Sequence, residues 1–135
     1  MRRRAIPVRV LAFTVPGLLG ACGPVCGNEI IQEAVSPDGK LKASAFVQNC
    51  GATSDYISQV SILPVREEVG DEGNAFMVDG LRGTIPQGLG GGPTVGLEWT
   101  SSASLTIRHP AGARIWKDES KVLGVDVTYQ PMEIE

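Results

Sequence analysis

The chain has 135 residues, with 12 basic and 15 acidic side chains, one histidine, three cysteines and 5% aromatic residues. That length is one domain, and with so few rings its core must be built from Val, Ile, Leu and Ala. Arg2, Arg3, Arg4 and Arg9 are four of the twelve basic residues, so the remainder carries eight basic against fifteen acidic groups, a formal charge of −7, which excludes the basic patch that nucleic-acid binding needs.

The basic start is followed by "VLAFTVPGLLGA", residues 10–21, without a charge. A positive n-region, an apolar core of roughly 7 to 15 residues and small residues ahead of a cleavage point are the parts of a secretory signal peptide. The run falls short of the roughly 18 residues of a membrane span, and Pro16 and Gly17 interrupt a helix interior. Residues 1–21 are therefore set aside from the fold. Leu19-Gly20-Ala21-Cys22 resembles the lipobox of bacterial lipoproteins. The resemblance implies cleavage before Cys22, a diacylglycerol on its sulfur and fatty acylation, such as a palmitate, of the new amine, a multi-chain anchor of the kind stable attachment requires. It also implies a cell-envelope location; Gly23, standing where an aspartate resembles a retention signal, points to the outer membrane, facing the periplasm. The alternative, an ordinary signal peptide with Cys22 in a disulfide, needs the cleavage signature to meet a cysteine by accident. "RRRAIP" has the arginines of a twin-arginine signal but not the residues after them.

With Cys22 lipidated, Cys26 and Cys50 remain, and in an oxidising compartment an even remainder reads as one disulfide, worth about 3 to 4 kcal/mol in the chain-entropy model. Cys22 and Cys26 have three residues between them rather than the two of a zinc or redox motif.

Residues 22–28 read as a lipidated tether and 29–135 as a single β domain. Residues 29–35 predict a strand, ended by "SPDGK", whose Pro, Asp and Gly suit successive positions of a β-turn. In "LKASAFVQN", Leu41, Ala43, Ala45 and Val47 alternate with Lys42, Ser44 and Gln48, a strand period that Phe46 breaks. "YISQVSILPV" is a further strand, with Pro64 at an end or edge. The acidic "REEVGDEGN" reads as a loop, "AFMV" as a short strand, and residues 80–93, containing "QGLGGGP", as a flexible loop. "TVGLEWT", "SLTIRH", "ARIWKD" and "VLGVDVTYQ" complete about seven or eight short strands, and the expected fold is all-β, an antiparallel sandwich or curved meander. A weak echo between "EAVSPDGKLKASAF" and "LEWTSSASLTIRH" suggests two packed meanders; the turn-and-strand form is similar to propeller blades, but a propeller needs at least four.

The segment "CGNEIIQEAVSPDGKLKASAFVQNCGATSDYISQVSIL", residues 26–63, resembles a family of small bacterial lipoproteins of unknown function, in which Cys-Gly-Asn-Glu, Ser-Pro-Asp-Gly-Lys and Cys-Gly-Ala-Thr segments recur in that order. It implies a shared fold and no activity.

Candidate sites are few. His109, the one histidine, precedes Pro110 and reads as a strand end; no metal site and no cofactor is expected. Glu67, Glu68, Asp71 and Glu72 lack the alternating ligands of a calcium loop, and Asp38 belongs to its turn. Gly88, Gly90, Gly91 and Gly92 have neither a Walker lysine nor a following helix. No serine stands in G-x-S-x-G. Trp99 and Trp116 read as core rather than as sugar platforms. The favoured expectation is a non-catalytic binding or scaffolding domain, held to the membrane by lipid, with an envelope protein as a possible partner and no nucleic acid. Two alternatives are a small hydrolase or carbohydrate-active enzyme using carboxylates such as Glu98 and Asp126, and an accessory or inhibitory subunit of an envelope complex.

Overall fold

A computed structural model describes residues 27–49, 56–81 and 83–133; Cys22, Cys26 and Cys50, with the signal segment, anchor and cross-link expected of them, lie outside the described residues. Among the described residues the alternating segments form nine strands: β1 (Gly27–Val35), β2 (Leu41–Asn49), β3 (Ile57–Pro64), β4 (Phe76–Asp79), β5 (Gly96–Ser101), β6 (Ser104–Pro110), β7 (Arg114–Asp118), β8 (Lys121–Val122) and β9 (Val125–Met132). The expected all-β fold is what the chain adopts. Two sheets, ordered β1-β2-β3-β4-β7 and β5-β6-β9-β8, enclose a core of Ala43, Ala45, Val60, Ile62, Phe76 and Val78 from the first and Leu105, Ile107, Val125 and Val127 from the second. Each of the larger of these side chains contributes about 1.5 to 3 kcal/mol by leaving water. No helix among the described residues is long and apolar enough to cross a membrane.

The β1–β2 turn forms as its residues dictate. The Gly39 amide donates to the Ser36 carbonyl at 2.8 Å, and Gly39 takes the left-handed position at φ +73° that only glycine enters without strain. Asp38 Oδ1 accepts from Ser36 Oγ at 2.6 Å and from the Lys40 amide at 3.1 Å. The Ser36 hydrogen bond, then that of Lys40, holds the Asp38 carboxyl below its ordinary range.

Phe46 breaks the alternation of β2 because both faces of this strand are covered. Ala43 and Ala45 join the inter-sheet core, while Ser44 and Phe46 are buried on the other face, beside Gln59 and Ser61 of β3. The acidic loop crosses that outer face. The Gly73 amide donates to Gln59 Oε1 at 2.7 Å, and the Asn74 amide to Ser61 Oγ at 3.2 Å. The Asn74 side chain also exchanges two bonds with the backbone of Ile62, at 2.8 and 2.7 Å. Pairing of β3 with β4 stops at Val60 opposite Phe76, so this amide serves Ile62 in place of a next strand residue.

Three features depart from the expectation. β6 and β9 run parallel, Ser104 opposite Asp126 through Pro110 opposite Met132. They can do so because β7 leaves its neighbours and pairs with β4 in the other sheet, returning the chain to the starting end of β6; two separate meanders are therefore not formed. "VLGVDVTYQ" is not one strand: Leu123 and Gly124 both have positive φ, +49° and +76°, and make a two-residue turn between β8 and β9. β1 begins at Gly27, so the last two residues of the expected tether are already paired, opposite Asn49 and Gln48.

Candidate binding cleft

The connection from β4 to β5 contains the glycine-rich segment, and it is a built strap rather than the flexible loop its composition suggests. Gln87 bridges Pro93, with a 3-10 turn at Leu89–Gly91 between them. The Gly88 amide donates to the Gly92 carbonyl at 2.7 Å, and the Gly91 amide to the Gly88 carbonyl at 3.2 Å. The buried Ser58 hydroxyl fastens the strap to β3 by donating to the Pro93 carbonyl at 2.6 Å. Glycines are required because the backbone lies against side chains. A Cβ on Gly90 would stand 2.7 Å from Ile31 Cδ1 and 3.2 Å from Val47 Cγ2, with φ at +76°, and one on Gly92 would collide with Ser58 Oγ. These glycines are therefore packing residues, and no phosphate-binding role is needed to explain them.

Between this strap and the first sheet lies a cleft of about 460 Å³. Its floor is Ala45, Phe46 and Val47 of β2 with Ser58 of β3, its roof is Gly88, Leu89 and Pro93 to Val95, and Ile31 and Gln32 of β1 form one wall. A bulge in β1, where the register shifts between Ile30 and Gln32, is what brings both Ile31 and Gln32 to this wall, since a regular strand alternates its side chains between faces. Ser58 Oγ is committed to Pro93. The cleft is thus a mainly apolar slot, with the Gln32 amide and the Thr94 hydroxyl as polar side-chain groups on its exposed rim. Leu89, the one side chain of the glycine turn, is 78% exposed. That combination suits a narrow apolar ligand with a hydrogen-bonding end.

The residues weighed from sequence lie elsewhere. His109 is buried in β6; Nδ1 donates to the Pro110 carbonyl at 3.1 Å and the ring packs 5.6 Å from Phe76, which makes it a core residue. Glu98 and Asp126 stand exposed on the second sheet, paired with Arg108 at 2.5 Å and Lys121 at 3.6 Å respectively, and neither lines the cleft. Of the acidic loop, Glu72 pairs with Lys117 at 2.6 Å. Among the described residues, no three of His, Cys, Asp and Glu gather as a metal site would require. Trp99 behaves as a half-buried packing residue, its indole N–H donating to the Ala34 carbonyl at 2.8 Å and so tying β5 to β1. Trp116 does not: it is 60% exposed. Sequence reasoning passed over Ile31 and the strap glycines as a unit. Their only signal is that four glycines are clustered where one turn would need two, and the partners they fit, Ser58, Val47 and Ile31, lie 34 to 59 positions away.

The class of protein that fold and cleft define is an all-β sandwich with an apolar slot roofed by a glycine strap. No family model, curated protein or solved structure matches the chain.

Proposed function

We propose that this chain is a lipid-anchored protein of the bacterial cell envelope, allied to the small lipoproteins its Cys-Gly-Asn-Glu and Ser-Pro-Asp-Gly-Lys segments resemble, and that its β domain is a non-catalytic binding module for a narrow aliphatic ligand. The cleft beneath the strap is the observation that carries the binding reading: about 460 Å³, within the roughly 300 to 1,000 Å³ of small-molecule sites, and lined mainly by apolar side chains. The anchor is Cys22, and its lipid is the link to the membrane, in the outer membrane with the domain facing the periplasm. Cys26 and Cys50 form its cross-link. The reading is supported by Gly27 and Asn49, their neighbours in the sequence, which face each other across β1 and β2.

The test is titration of the full chain with a fluorescent fatty-acid analogue. Saturable binding is expected, and Val95→Trp, which adds bulk at a partly buried roof residue, lowers affinity at least tenfold in protein that circular dichroism shows to be folded. Absence of saturable binding, or binding indifferent to a folded Val95→Trp, overturns the assignment of the cleft.

A further inference from the structure

A second site stands on the outer face of the first sheet, away from the cleft. β7 is an edge strand, and its pairing with β4 is bulged: Met77 faces Lys117 and Val78 faces Ile115, so Trp116 is the extra residue and its side chain is re-aimed out of the ladder. The large ring is 60% exposed, yet it is not free. The indole N–H donates to Asp79 Oδ2 at 2.7 Å. Arg114 donates to the same oxygen through Nε at 2.9 Å and Nη2 at 2.6 Å, and its guanidinium carbon lies 4.7 Å from the centre of the Trp116 ring. Asp79 is 2% exposed, and its other oxygen accepts the Leu81 amide at 2.9 Å. A buried carboxylate is thus committed to holding two solvent-facing side chains in one arrangement.

We infer that Trp116 and Arg114 form a stacking platform for a pyranose ring of a glycan, held in place by Asp79 as a positioning residue. Two of the five N–H groups of Arg114 are committed to Asp79, and three are left on a side chain 45% exposed. The platform therefore offers a flat π-surface beside a fan of donors. The matching ligand has a flat C–H face and hydroxyl, amide or carboxyl oxygens round its rim, which describes a sugar ring. Other ligand classes fit less well. A cationic group meets the guanidinium already stacked on the indole. Nucleic acid and anionic head groups are disfavoured by the acidic chain, with Asp118 ending the strand and Glu119 following it. An added peptide strand requires a regular edge, and the bulge at Trp116 breaks this one. Pre-organisation is what distinguishes the arrangement from a scattered surface aromatic, since a ring locked before binding loses less freedom when it binds. The site is independent of the cleft and of the lipid anchor.

The experiment is a glycan array probed with the full chain, followed by titration of the best-bound oligosaccharide against protein carrying 5-fluorotryptophan. The two tryptophans give separate fluorine signals, and that of Trp116 is the one expected to move. Trp116→Ala is expected to weaken binding about tenfold or more, the scale of one lost aromatic contact, with Trp116→Tyr recovering part of it. Asp79→Asn tests positioning: the fluorine line of Trp116 should change with ring mobility and affinity should fall, whereas a purely structural role would alter the melting temperature alone. If no glycan binds, or a bound glycan moves only Trp99, or folded Trp116→Ala binds as well as the parent, the platform assignment is wrong.

Discussion

Substituting Gly90 by alanine probes whether the strap is packed or merely placed. Gly90 has φ +76°, and an added Cβ meets Ile31 Cδ1 at 2.7 Å and Val47 Cβ at 3.3 Å. The left-handed backbone costs an alanine about 1 to 2 kcal/mol, and overpacking a filled site costs about 1 to 3 kcal/mol more. Gly112 is the control, because its φ is +81° and nothing lies within 4 Å of its would-be Cβ; Gly112→Ala isolates the backbone part. Urea unfolding followed by circular dichroism should therefore rank Gly90→Ala below Gly112→Ala by about 1 to 3 kcal/mol, each kcal/mol being worth roughly 4 to 8 °C in melting temperature for a domain near this size. The nearest clashing atom is a single methyl of Ile31, so adding Ile31→Val to Gly90→Ala should recover part of the loss, a coupling of about 0.5 kcal/mol or more. Equal stability of the two alanine variants, or strict additivity with Ile31→Val, would refute a close-packed strap.

Other consequences can be measured in the same way. Burial raises the Asp79 carboxyl, but the hydrogen bonds from Arg114, the Leu81 amide and Trp116, with the charge of Arg114, outweigh it and hold the group below its ordinary range. A carboxyl depressed on folding stabilises the protein above its unfolded value, about 3.9, and the effect fades as pH falls through the folded value. Asp79→Asn should consequently be less stable than the parent at pH 7, with the gap narrowing below about pH 4; a constant gap in urea midpoints contradicts this. Leu123 occupies φ +49° in the two-residue turn before Gly124, where Asn-Gly is favoured, and Leu123→Asn should stabilise by about 1 kcal/mol. A loss of stability would show that this exposed leucine makes contacts that outweigh its strain. Alkylation of the mature protein without reductant should label no thiol on Cys26 or Cys50, and two labelled thiols in protein taken from the envelope would dismiss the cross-link. Cys22→Ser should leave an unprocessed or soluble protein where the parent partitions into detergent; a processed variant still bound to membrane would disprove the anchor.

Much of the fold is local in origin and so is readable along the chain. Alternation in Leu41, Ala43 and Ala45, the Pro37-Asp38-Gly39 turn and the alternating Val125, Val127 and Tyr129 each follow from the geometry of a few neighbouring residues, and all reappear as strand and turn in the structure. The features that make sites are decided at long range. Nothing near "QGLGGGP" reveals that its glycines fit against Ile31 and Val47, because close approach of backbone to side chain is a property of the packed sheets. Nothing near Asp79 announces that Arg114 and Trp116, 35 and 37 positions away, will converge on one of its oxygens; that requires β7 to desert its own half of the chain and pair with β4. The parallel course of β6 and β9 has the same origin. Local preference specifies a strand and which of its faces is apolar, whereas the partner it pairs with depends on which arrangement buries both sheets at once, a choice only the assembled core can make.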